Sequence, residues 1–545
     1  MSWYDRSPER REWELGEFAA LGLKAVERIE DGQLVVDTDL TFRGEPVAIA
    51  VKYPVDYPDF PPQLFGPPGL LDRHQSGSGN LCVLEDPDND WWPGWSAAEL
   101  VDVKLRALLG ASERGPDAVA AGEADMVESL SAEILFDSGE AVLVPDPFWA
   151  IHLDRPHGEF TLLELAGGSL RLLIAVDALG TADPSLIERL RSRRSERHDG
   201  TWVALAEPPR PWPSQGEIFA AAHAACPDLF QRARKAAARN FREKRADSWI
   251  AITFLEEGPR RGETRRAWMF REVRMRVKGQ PETLRVARAH PLTADARWLR
   301  TPELVGLAEA RVAVVGAGSL GAPVVLELAK AGVGNIDVFD TDYFQASSNV
   351  RHVLSTYDAG VKKATAVRWA AERMNPFVAV TAHDVDVRGD NANGLLSAAD
   401  VVVDTTGSQA VGRMLSRRCR ELEKVLVVAG VSNGAYGGDV VILKPAGSCF
   451  MCFVLAQDAG DVPSPRNGPR SSVTPVGCGY PAFSGAGFDA TALAAIAART
   501  VIGVGGWCDY PAPEYDWVVV NFRGSEPWRQ GMLGRRPECP LCGRE

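Results

Sequence analysis

Positive charge is in short supply in this sequence. The 545 residues include 60 lysines and arginines against 73 aspartates and glutamates, so the formal net charge is −13. No long run of basic residues is present that could follow a phosphate backbone, which is the feature that nucleic-acid binding depends on. The composition therefore predicts that nucleic acid is not a partner.

Long apolar runs are missing too. A membrane-spanning helix needs about 18 or more consecutive apolar residues, and no uninterrupted run in the chain reaches that length. The first residues, MSWYDRSPERREWE, are charged and lack the apolar segment of a signal peptide. These two absences predict a cytoplasmic protein with no membrane partner.

Cysteine is sparse, with nine residues in the whole chain. Domains that depend on disulfide bonds contain cysteine at a much higher density. We therefore interpret the spacing of these cysteines as metal or thiol chemistry.

Composition divides the chain into three zones, which matches the two to four domains expected from its length. Residues 1–135 contain alternating strand patterns at 33–42 and 46–53 and an apolar helix pattern at 98–110, which predicts a small α+β domain. Residues 136–290 mix short strands with helices rich in arginine and alanine, and they carry no chemical motif. We predict a linker or spacer domain of mixed structure for this zone and a Rossmann-like α/β domain for residues 291–545.

The third zone opens with RVAVVGAGSLGAPVVLELAKAGVGNIDVFDTD, which predicts a strand, a tight turn, a helix and a second strand. Gly316, Gly318 and Gly321 lie in the turn, where they let the backbone approach a nucleotide at a helix N-terminus. Asp340 ends the second strand, where an acidic side chain can bind a ribose hydroxyl. The pattern predicts nucleotide binding but leaves ATP and a nicotinamide dinucleotide open.

The next residues favour ATP. Asn349, Arg351, Lys362 and Lys363 follow Asp340 closely, where cations can reach bound phosphates. Attack on an α-phosphate with loss of pyrophosphate develops negative charge that must be neutralised, whereas hydride transfer has no such need.

The order of these motifs resembles the adenylation domain of the ThiF-type family. The chain carries G-A-G-S-L-G, D-T-D, S-N-V-R-H, and G-V-K-K-A followed by N-P. This family includes ubiquitin-activating enzymes and bacterial enzymes of thiamine and molybdopterin synthesis. The resemblance implies that Asp340 holds the ribose of ATP, that Asn349 and Arg351 hold the phosphates, and that Lys363 holds the triphosphate during attack.

One position departs from the family pattern. Gly407 and Ser408 stand where the family usually has an Asp-Asn pair, whose aspartate helps to hold Mg²⁺. Either Asp404 takes that task or the metal is held differently.

Two Cys-x-x-Cys pairs lie in the same zone, Cys449 with Cys452 and Cys539 with Cys542. Four thiolates in two such pairs match a closed tetrahedral Zn²⁺ site, and the ThiF-type resemblance implies the same site. A redox dithiol is the alternative.

Cys478 lies between these pairs, in a glycine-rich stretch shortly before an apolar helix pattern. A thiolate near a helix N-terminus is stabilised by the exposed N–H groups, which favours a nucleophile over a buried thiol. Relatives that form a thioester with their protein substrate carry their cysteine on a loop at this place, so the resemblance implies the same role.

The first zone contains a second candidate nucleophile, Cys82. The stretch YPVDYPDFPPQLFGPPG resembles the Tyr-Pro…Pro-Pro signature of ubiquitin-conjugating enzymes, and G-N-L-C-V-L followed by W-W-P-G-W resembles their active-site cysteine segment. By this resemblance Cys82 accepts an acyl thioester; the alternative is a packed core cysteine. The usual His-Pro-Asn triplet is absent, which leaves His74 and Asn80 as candidates to replace it.

Together the two ends resemble the fused conjugating and activating proteins of CBASS antiphage operons. The resemblance implies ATP-dependent adenylation of a protein C-terminus, capture on Cys478, transfer to Cys82 and ligation to a target amine. It also implies a substrate with a flexible C-terminal tail, such as a cyclic-nucleotide synthase or a ubiquitin-like protein. The chain would form a homodimer in which Arg297 or Arg300 reaches the partner's ATP.

Three other functions stay open from the sequence. A sulfur-carrier adenylyltransferase explains only the third zone, and an NAD-dependent oxidoreductase explains only the glycine turn. A non-catalytic scaffold fits the absent His-Pro-Asn triplet and the glycine at position 407.

Overall fold

The computed structural model describes most of the chain. The described residues are 2–71, 73–84, 86–114, 141–146, 155–165, 172–177, 184–190, 196–207, 215–243, 248–258, 260, 263–275, 281–389, 392–468, 485–524 and 527–543. They form two compact units, Met1–Ala182 with Ser192–Thr293, and Asp183–Arg191 with Ala294–Glu545. The domain boundaries at residues 135 and 290 stay predictions, because the first unit contains the first zone and all of the second zone except residues 183–191.

The first unit begins with an antiparallel sheet in the order β1-β2-β3-β4-β5. Its strands are β1 (Val26–Glu30), β2 (Gln33–Phe42), β3 (Glu45–Lys52), β4 (Gln63–Phe65) and β5 (Asn80–Leu81). Its helices are α1 (Trp3–Arg6), α2 (Pro8–Ala20), α3 (Pro87–Asp90), α4 (Ala97–Glu99), a π-helix (Leu100–Leu105) and α5 (Arg106–Arg114). Strand β2 alternates as predicted, because Leu34 and Val36 are buried in the core whereas Asp39 faces outward.

A closed barrel completes the first unit, in the order β10-β11-β12-β6-β8-β7-β9. Its strands are β6 (Ala141–Pro145), β7 (His157–Leu165), β8 (Leu172–Asp177), β9 (Arg197–Ala204), β10 (Ser248–Glu257), β11 (Thr264–Met275) and β12 (Pro281–Leu292). Phe160, Trp202, Trp249 and Phe270 fill one buried cluster of this barrel. Of the next helices in the chain, α6 (Pro184–Leu190) belongs to the second unit, whereas α7 (Gln215–Ala225) and α8 (Leu229–Arg242) pack on the barrel. Closure leaves the barrel without an unpaired edge.

The second unit is built on an eight-stranded sheet in the order β15-β14-β13-β16-β17-β18-β19-β20. The strands are β13 (Arg311–Val315), β14 (Asn335–Phe339), β15 (Ala379–His383), β16 (Val401–Asp404), β17 (Val425–Val431), β18 (Gly437–Leu443), β19 (Trp517–Asn521) and β20 (Trp528–Gly531). The strands β13 to β17 are parallel, and the last three join antiparallel. This order is that of a doubly wound, Rossmann-like sheet, so the predicted α/β class of the C-terminal zone is confirmed.

Helices cover both faces of this sheet. They are α9 (Gly321–Ala331), α10 (Lys363–Met374), α11 (Ala392–Ser397), α12 (Gln409–Glu421), α13 (Phe450–Asp458) and α14 (Gly487–Gly505). Short 3₁₀ helices span Asp295–Trp298, Pro302–Glu309, Ala346–Ser348 and Thr356–Asp358.

Helix α14 is long and apolar enough to cross a membrane by length and composition, and it is the one such helix in the described part of the chain. Its residues Leu493, Ala494 and Ala497 are fully buried and belong to the same core cluster as Val427 of β17. The helix therefore packs in the core of its own unit.

Candidate active site

The candidate nucleotide site lies where the order of the parallel strands reverses. Val315 is level with Phe339 and Asp404 in the register of the sheet, so β13, β14 and β16 end together at one edge. Ligands of doubly wound sheets bind at the carboxyl ends of the strands at this point. The glycine turn, Asp340 and Thr405 follow these strand ends directly.

Two of the three turn glycines are required by the fold. Gly316 has a φ of +96°, and its N–H donates to the Phe339 carbonyl at 2.8 Å. A Cβ atom at Gly321 would lie 1.9 Å from the Gly316 carbonyl oxygen. At Gly318, by contrast, a Cβ atom would meet no atom of the described chain within 4 Å. Gly318 thus leaves open space at the N-terminus of α9, which suits the approach of a ligand.

The carboxylate of Asp340 holds the turn against the end of β14. Its Oδ2 accepts a hydrogen bond from the Ala317 N–H at 2.7 Å, and its Oδ1 accepts one from the Asp342 N–H at 2.8 Å. Each oxygen of a carboxylate can accept more than one hydrogen bond, so both can still meet a ribose hydroxyl. The ribose role stays a prediction.

The predicted phosphate ligands lie in the segment that follows Asp340. The Lys363 Nζ is 2.8 Å from Asp342 Oδ2, so this ammonium group stands beside the end of β14. The Asn349 Nδ2 donates to Thr356 Oγ1 at 3.2 Å. Burial lowers the pKa of the Arg351 guanidinium, as expected for a cation withdrawn from water. Their contacts with phosphate stay predictions.

His352 and Thr405 also hold the glycine turn, and the sequence reasoning gave them no role. The His352 Nε2 lies 2.8 Å from the Ala317 carbonyl oxygen, and its Nδ1 accepts from the Leu354 N–H at 3.2 Å. Burial lowers the pKa of His352, so the neutral ring with the proton on Nε2 fits these contacts. Thr405 Oγ1 lies 2.9 Å from the Gly316 carbonyl oxygen. The motif S-N-V-R-H contained the histidine, but its reach across to the turn depends on tertiary packing.

Asp404, the predicted magnesium ligand, is almost completely buried. Its Oδ1 accepts hydrogen bonds from the Thr406 N–H at 2.9 Å and the Thr406 hydroxyl at 2.7 Å. Burial raises the pKa of Asp404, and these two bonds oppose that rise. The side chain therefore fixes the turn after β16, and its role toward magnesium stays a prediction.

The two Cys-x-x-Cys pairs meet in one buried cluster. The Sγ atoms of Cys449 and Cys539 are 3.4 Å apart, as are those of Cys452 and Cys542, and all four lie within 4.8 Å of one another. In a tetrahedral zinc site with Zn–S bonds of about 2.3 Å, the sulfur atoms are about 3.8 Å apart. The cluster therefore fits the dimensions of a Zn²⁺ site and could hold that ion.

The sequence profile of the ThiF family matches residues 295–504. The sulfur carrier protein adenylyltransferase of Thermus thermophilus is 30% identical over 247 residues, which are 44% of this chain and 84% of that protein. The chain belongs to the ThiF family. The part that carries the glycine turn is an E1-like adenylyltransferase domain, and the family implies the use of ATP to adenylate a carboxylate.

Similarity outside the ThiF-family domain is seen with protein y4qC of Sinorhizobium fredii. That protein is 26% identical over 548 residues, which are 91% of this chain and 89% of its own length. Among solved structures, E. coli MccB with ATP covers 44% of this chain and 68% of its own, at 19% identity and a TM-score of 0.35.

Cys478 lies outside the described residues, but both flanks of its segment 469–484 are placed in the ThiF-family domain. The Gly468 N–H donates to the Asn433 carbonyl at 2.6 Å, and Gly485 forms a β-bridge with Gly434. The described residues on either side of the segment, Gly468 and Gly485, therefore both lie at the turn between β17 and β18. Two residues further on, a Cβ atom at Gly487 would lie 3.0 Å from the Cα of Arg351.

Cys82 precedes the ThiF-family domain in sequence and is exposed, which contradicts the alternative of a packed core cysteine. Its backbone N–H donates to the His74 carbonyl at 2.7 Å, so the loop before β5 folds back onto the cysteine. The Trp91 Nε1 donates to the Pro58 carbonyl at 2.7 Å, which ties the tryptophan-rich stretch to the proline cluster. The segments that carry the resemblance are thus in contact with one another.

Proposed function

We propose that this chain uses ATP to activate the C-terminal carboxylate of a protein, carries the acyl group on Cys478 and then Cys82, and joins it to a target amine. The observation that carries the activating step is the meeting of the glycine turn, Asp340 and the Lys363 ammonium group at the switch point of the sheet. The capture step is supported by Gly487, which follows the Cys478 segment and lies against the backbone of Arg351.

The chemistry follows from these groups. A carboxylate oxygen of the substrate attacks the α-phosphorus of ATP, the bond from that phosphorus to the bridging oxygen breaks, and pyrophosphate leaves. Lys363 and Arg351 offset the charge that develops on the phosphates, and the open space at Gly318 admits them near the N-terminus of α9. Mg²⁺, when bound, supplies further neutralisation of the phosphates.

The thioester steps conserve the activation. The Cys478 thiolate attacks the acyl carbonyl and displaces AMP. The Cys82 thiolate then attacks the carbonyl of this thioester and releases the Cys478 thiolate. Finally, an amine attacks the second thioester, which releases the Cys82 thiolate and forms an amide. The exposure of Cys82 and its contact with the His74 backbone support this role.

The four clustered cysteines are proposed as a structural Zn²⁺ site. All four are buried, so they offer no open position for a substrate. The Arg536 N–H lies 3.5 Å from Cys452 Sγ, and the Arg536 guanidinium pairs with Asp461 just after α13. The site would thereby fasten the segment around Arg536 to α13 and to the residues that follow this helix.

A homodimer through the ThiF-family domain is part of the proposal. Val350, Tyr357 and Phe488 expose large apolar surfaces beside the candidate site, which suits a protein interface. The guanidinium group of Arg297 lies over the rings of Trp298 and Phe377, at 4.5 and 5.2 Å from their centroids, and so packs within its own unit. Arg300 is exposed and is the better candidate to reach a partner.

The alternatives explain less of the chain. A sulfur-carrier adenylyltransferase like that of Thermus thermophilus corresponds to 44% of it, whereas the similarity to y4qC extends over 91%. The family match favours ATP over NAD. A scaffold without activity would not need the exposed Cys82 or the ordered phosphate-binding motifs. The protein substrate and an antiphage setting are best sought among the neighbouring genes.

Lys363→Ala should abolish substrate-dependent exchange of pyrophosphate into ATP by removing the ammonium group proposed to neutralise the triphosphate. The matched control is Lys330→Ala, which deletes the same charge from the opposite end of α9, where Lys330 pairs with Glu327 at 2.6 Å. Radiolabelled pyrophosphate exchange, with the melting temperature measured in parallel, checks both. Wild-type exchange in Lys363→Ala would contradict the assignment.

A further inference from the structure

Asp489 is a buried carboxylate with an oxygen that has no partner among the described residues. It lies in the first turn of the 19-residue helix α14 and is 8% exposed. Its Oδ2 is shielded from solvent and makes no hydrogen bond within the described chain. Buried polar atoms are almost always paired, and an unpaired buried carboxylate is costly, so this atom points to a ligand.

The N-terminal end of α14 lies at the carboxyl edge of the sheet. Gly485, just before the helix, bridges Gly434 in the turn that follows β17, and Gly487 meets the backbone of Arg351. At the opposite end, Trp507 Nε1 donates to Asp400 Oδ2, next to the start of β16. Asp489 is therefore at the edge that carries the glycine turn.

Asp489 also belongs to the helix face that packs on the sheet. Leu493 is four residues later and on the same face of α14. Its side chain lies against Gly438 of β18, where an added Cβ atom would be 2.3 Å from Leu493 Cδ2. Leu493 shares a core cluster with Ala322 of α9, whose first turn borders the nucleotide site. The carboxylate thus lies on the side of the sheet that holds α9.

Neither position expected to supply the magnesium ligand, 407 or 404, is well suited to that role. Position 407 is a glycine, and Asp404 commits its Oδ1 to Thr406. Asp404 also points to the other face of the sheet, because it alternates with Val403, whose side chain is in the α9 cluster.

We propose that Asp489 supplies the carboxylate that holds the divalent cation accompanying ATP, in place of the aspartate missing at position 407. Mg²⁺ sites on nucleotides commonly use one or two carboxylates together with phosphate oxygens and water. The buried Asp489 Oδ2, which has no partner among the described residues, is the oxygen atom available to bind such an ion. The inference rests on the proposed function, because it requires a triphosphate at the glycine turn.

The test uses Mn²⁺ as the probe with the ATP analogue AMPCPP on the full chain. Asp489→Asn should weaken Mn²⁺ binding to the AMPCPP-bound chain by on the order of 10-fold or more, measured from the paramagnetic resonance of free Mn²⁺. Without metal, its melting temperature should equal or exceed that of the wild type, because a buried unpaired charge is removed. The matched control is Asp439→Asn, an enclosed carboxylate on the other face of the same sheet, which should leave Mn²⁺ affinity unchanged.

Unchanged Mn²⁺ affinity in Asp489→Asn would overturn the inference. A lowered melting temperature with unchanged affinity would do the same and would indicate that the Asp489 carboxylate stabilises the fold instead. If Asp489→Asn does not fold, a second experiment on the wild type tests the inference. Fe²⁺ replaces the cation in the presence of AMPCPP, and added peroxide then cleaves the backbone near the bound metal. Cuts should fall at residues 487–491, and cuts confined to residues 404–408 would overturn the inference. Failure of the wild type to bind AMPCPP would instead refute the proposed function.

Discussion

Single carboxylates in this protein differ in how completely they are paired. Glu14 is buried in the first unit, yet it accepts hydrogen bonds from Tyr53, Tyr57, Arg10 and the Ala97 N–H. Such a group contributes to the fold because every lone pair that burial removes from water is used again. Asp439 has one long bond, from Gln457 Nε2 at 3.4 Å, among the described residues. Burial alone therefore does not identify a functional carboxylate, whereas incomplete pairing can.

The pairing of Asp439 predicts a pH dependence of stability. Its enclosed carboxyl group has a pKa raised to about 7 by burial, and the Gln457 bond opposes this rise only in part. The folded pKa lies above the unfolded value of about 3.9, so the protonated form stabilises the fold. That contribution is complete below the unfolded pKa and is lost as the pH rises through about 7.

Asp439→Asn cannot ionise and should lose less unfolding free energy than the wild type between about pH 5 and pH 8. Urea denaturation at the two pH values measures this difference. Equal losses in the two proteins would show that Asp439 does not titrate in this range.

At the scale of elements, the sequence predicted what depends on local periodicity. The strand pattern at 33–42 coincides with β2, and the glycine turn lies between β13 and α9 as expected. The apolar pattern at 98–110 is helical, but residues Leu100–Leu105 form a π-helix. Apolar periodicity cannot separate this widened turn from an α-helix, because the two differ in hydrogen-bond partners rather than in side-chain type.

The glycine turn offers a paired prediction. Gly321→Ala should destabilise the fold by about 1–3 kcal/mol or more, because its Cβ would meet the Gly316 carbonyl oxygen at 1.9 Å. Gly318→Ala should change the unfolding free energy by less than about 1 kcal/mol, since nothing in the described chain stands in the way.

Gly318→Ala should nevertheless weaken ATP binding if phosphates occupy the open space. Urea denaturation and calorimetric titration with ATP separate the two effects. Wild-type ATP affinity in a folded Gly318→Ala protein would show that the nucleotide lies elsewhere.

At the scale of the whole molecule, the features that the sequence could not predict come from contacts between distant segments. Closure of the barrel needs the parallel pairs β12 with β6 and β10 with β9. The sequence does not show which strands pair, because the hydrogen bonds between strands are made by the backbone. The same limit applies to Asp489, which the sequence places in an apolar helix without showing that its carboxylate would be buried at the strand ends. The candidate cysteines, by contrast, could be identified from the sequence, because each lies in a contiguous motif.

The central claim is that two cysteines relay an acyl group activated by ATP, and a trapping experiment tests it most directly. The Cys82→Lys chain, co-expressed with its neighbouring genes, is purified under denaturing and reducing conditions and digested for mass spectrometry. The account predicts an amide between the side chain at position 82 and the C-terminus of another protein, because an amine there converts the transient thioester into a stable bond. The adduct should disappear when Lys363→Ala or Cys478→Ala is combined with Cys82→Lys. No adduct at position 82, or an adduct that persists in the combination with Cys478→Ala, would contradict the proposed relay.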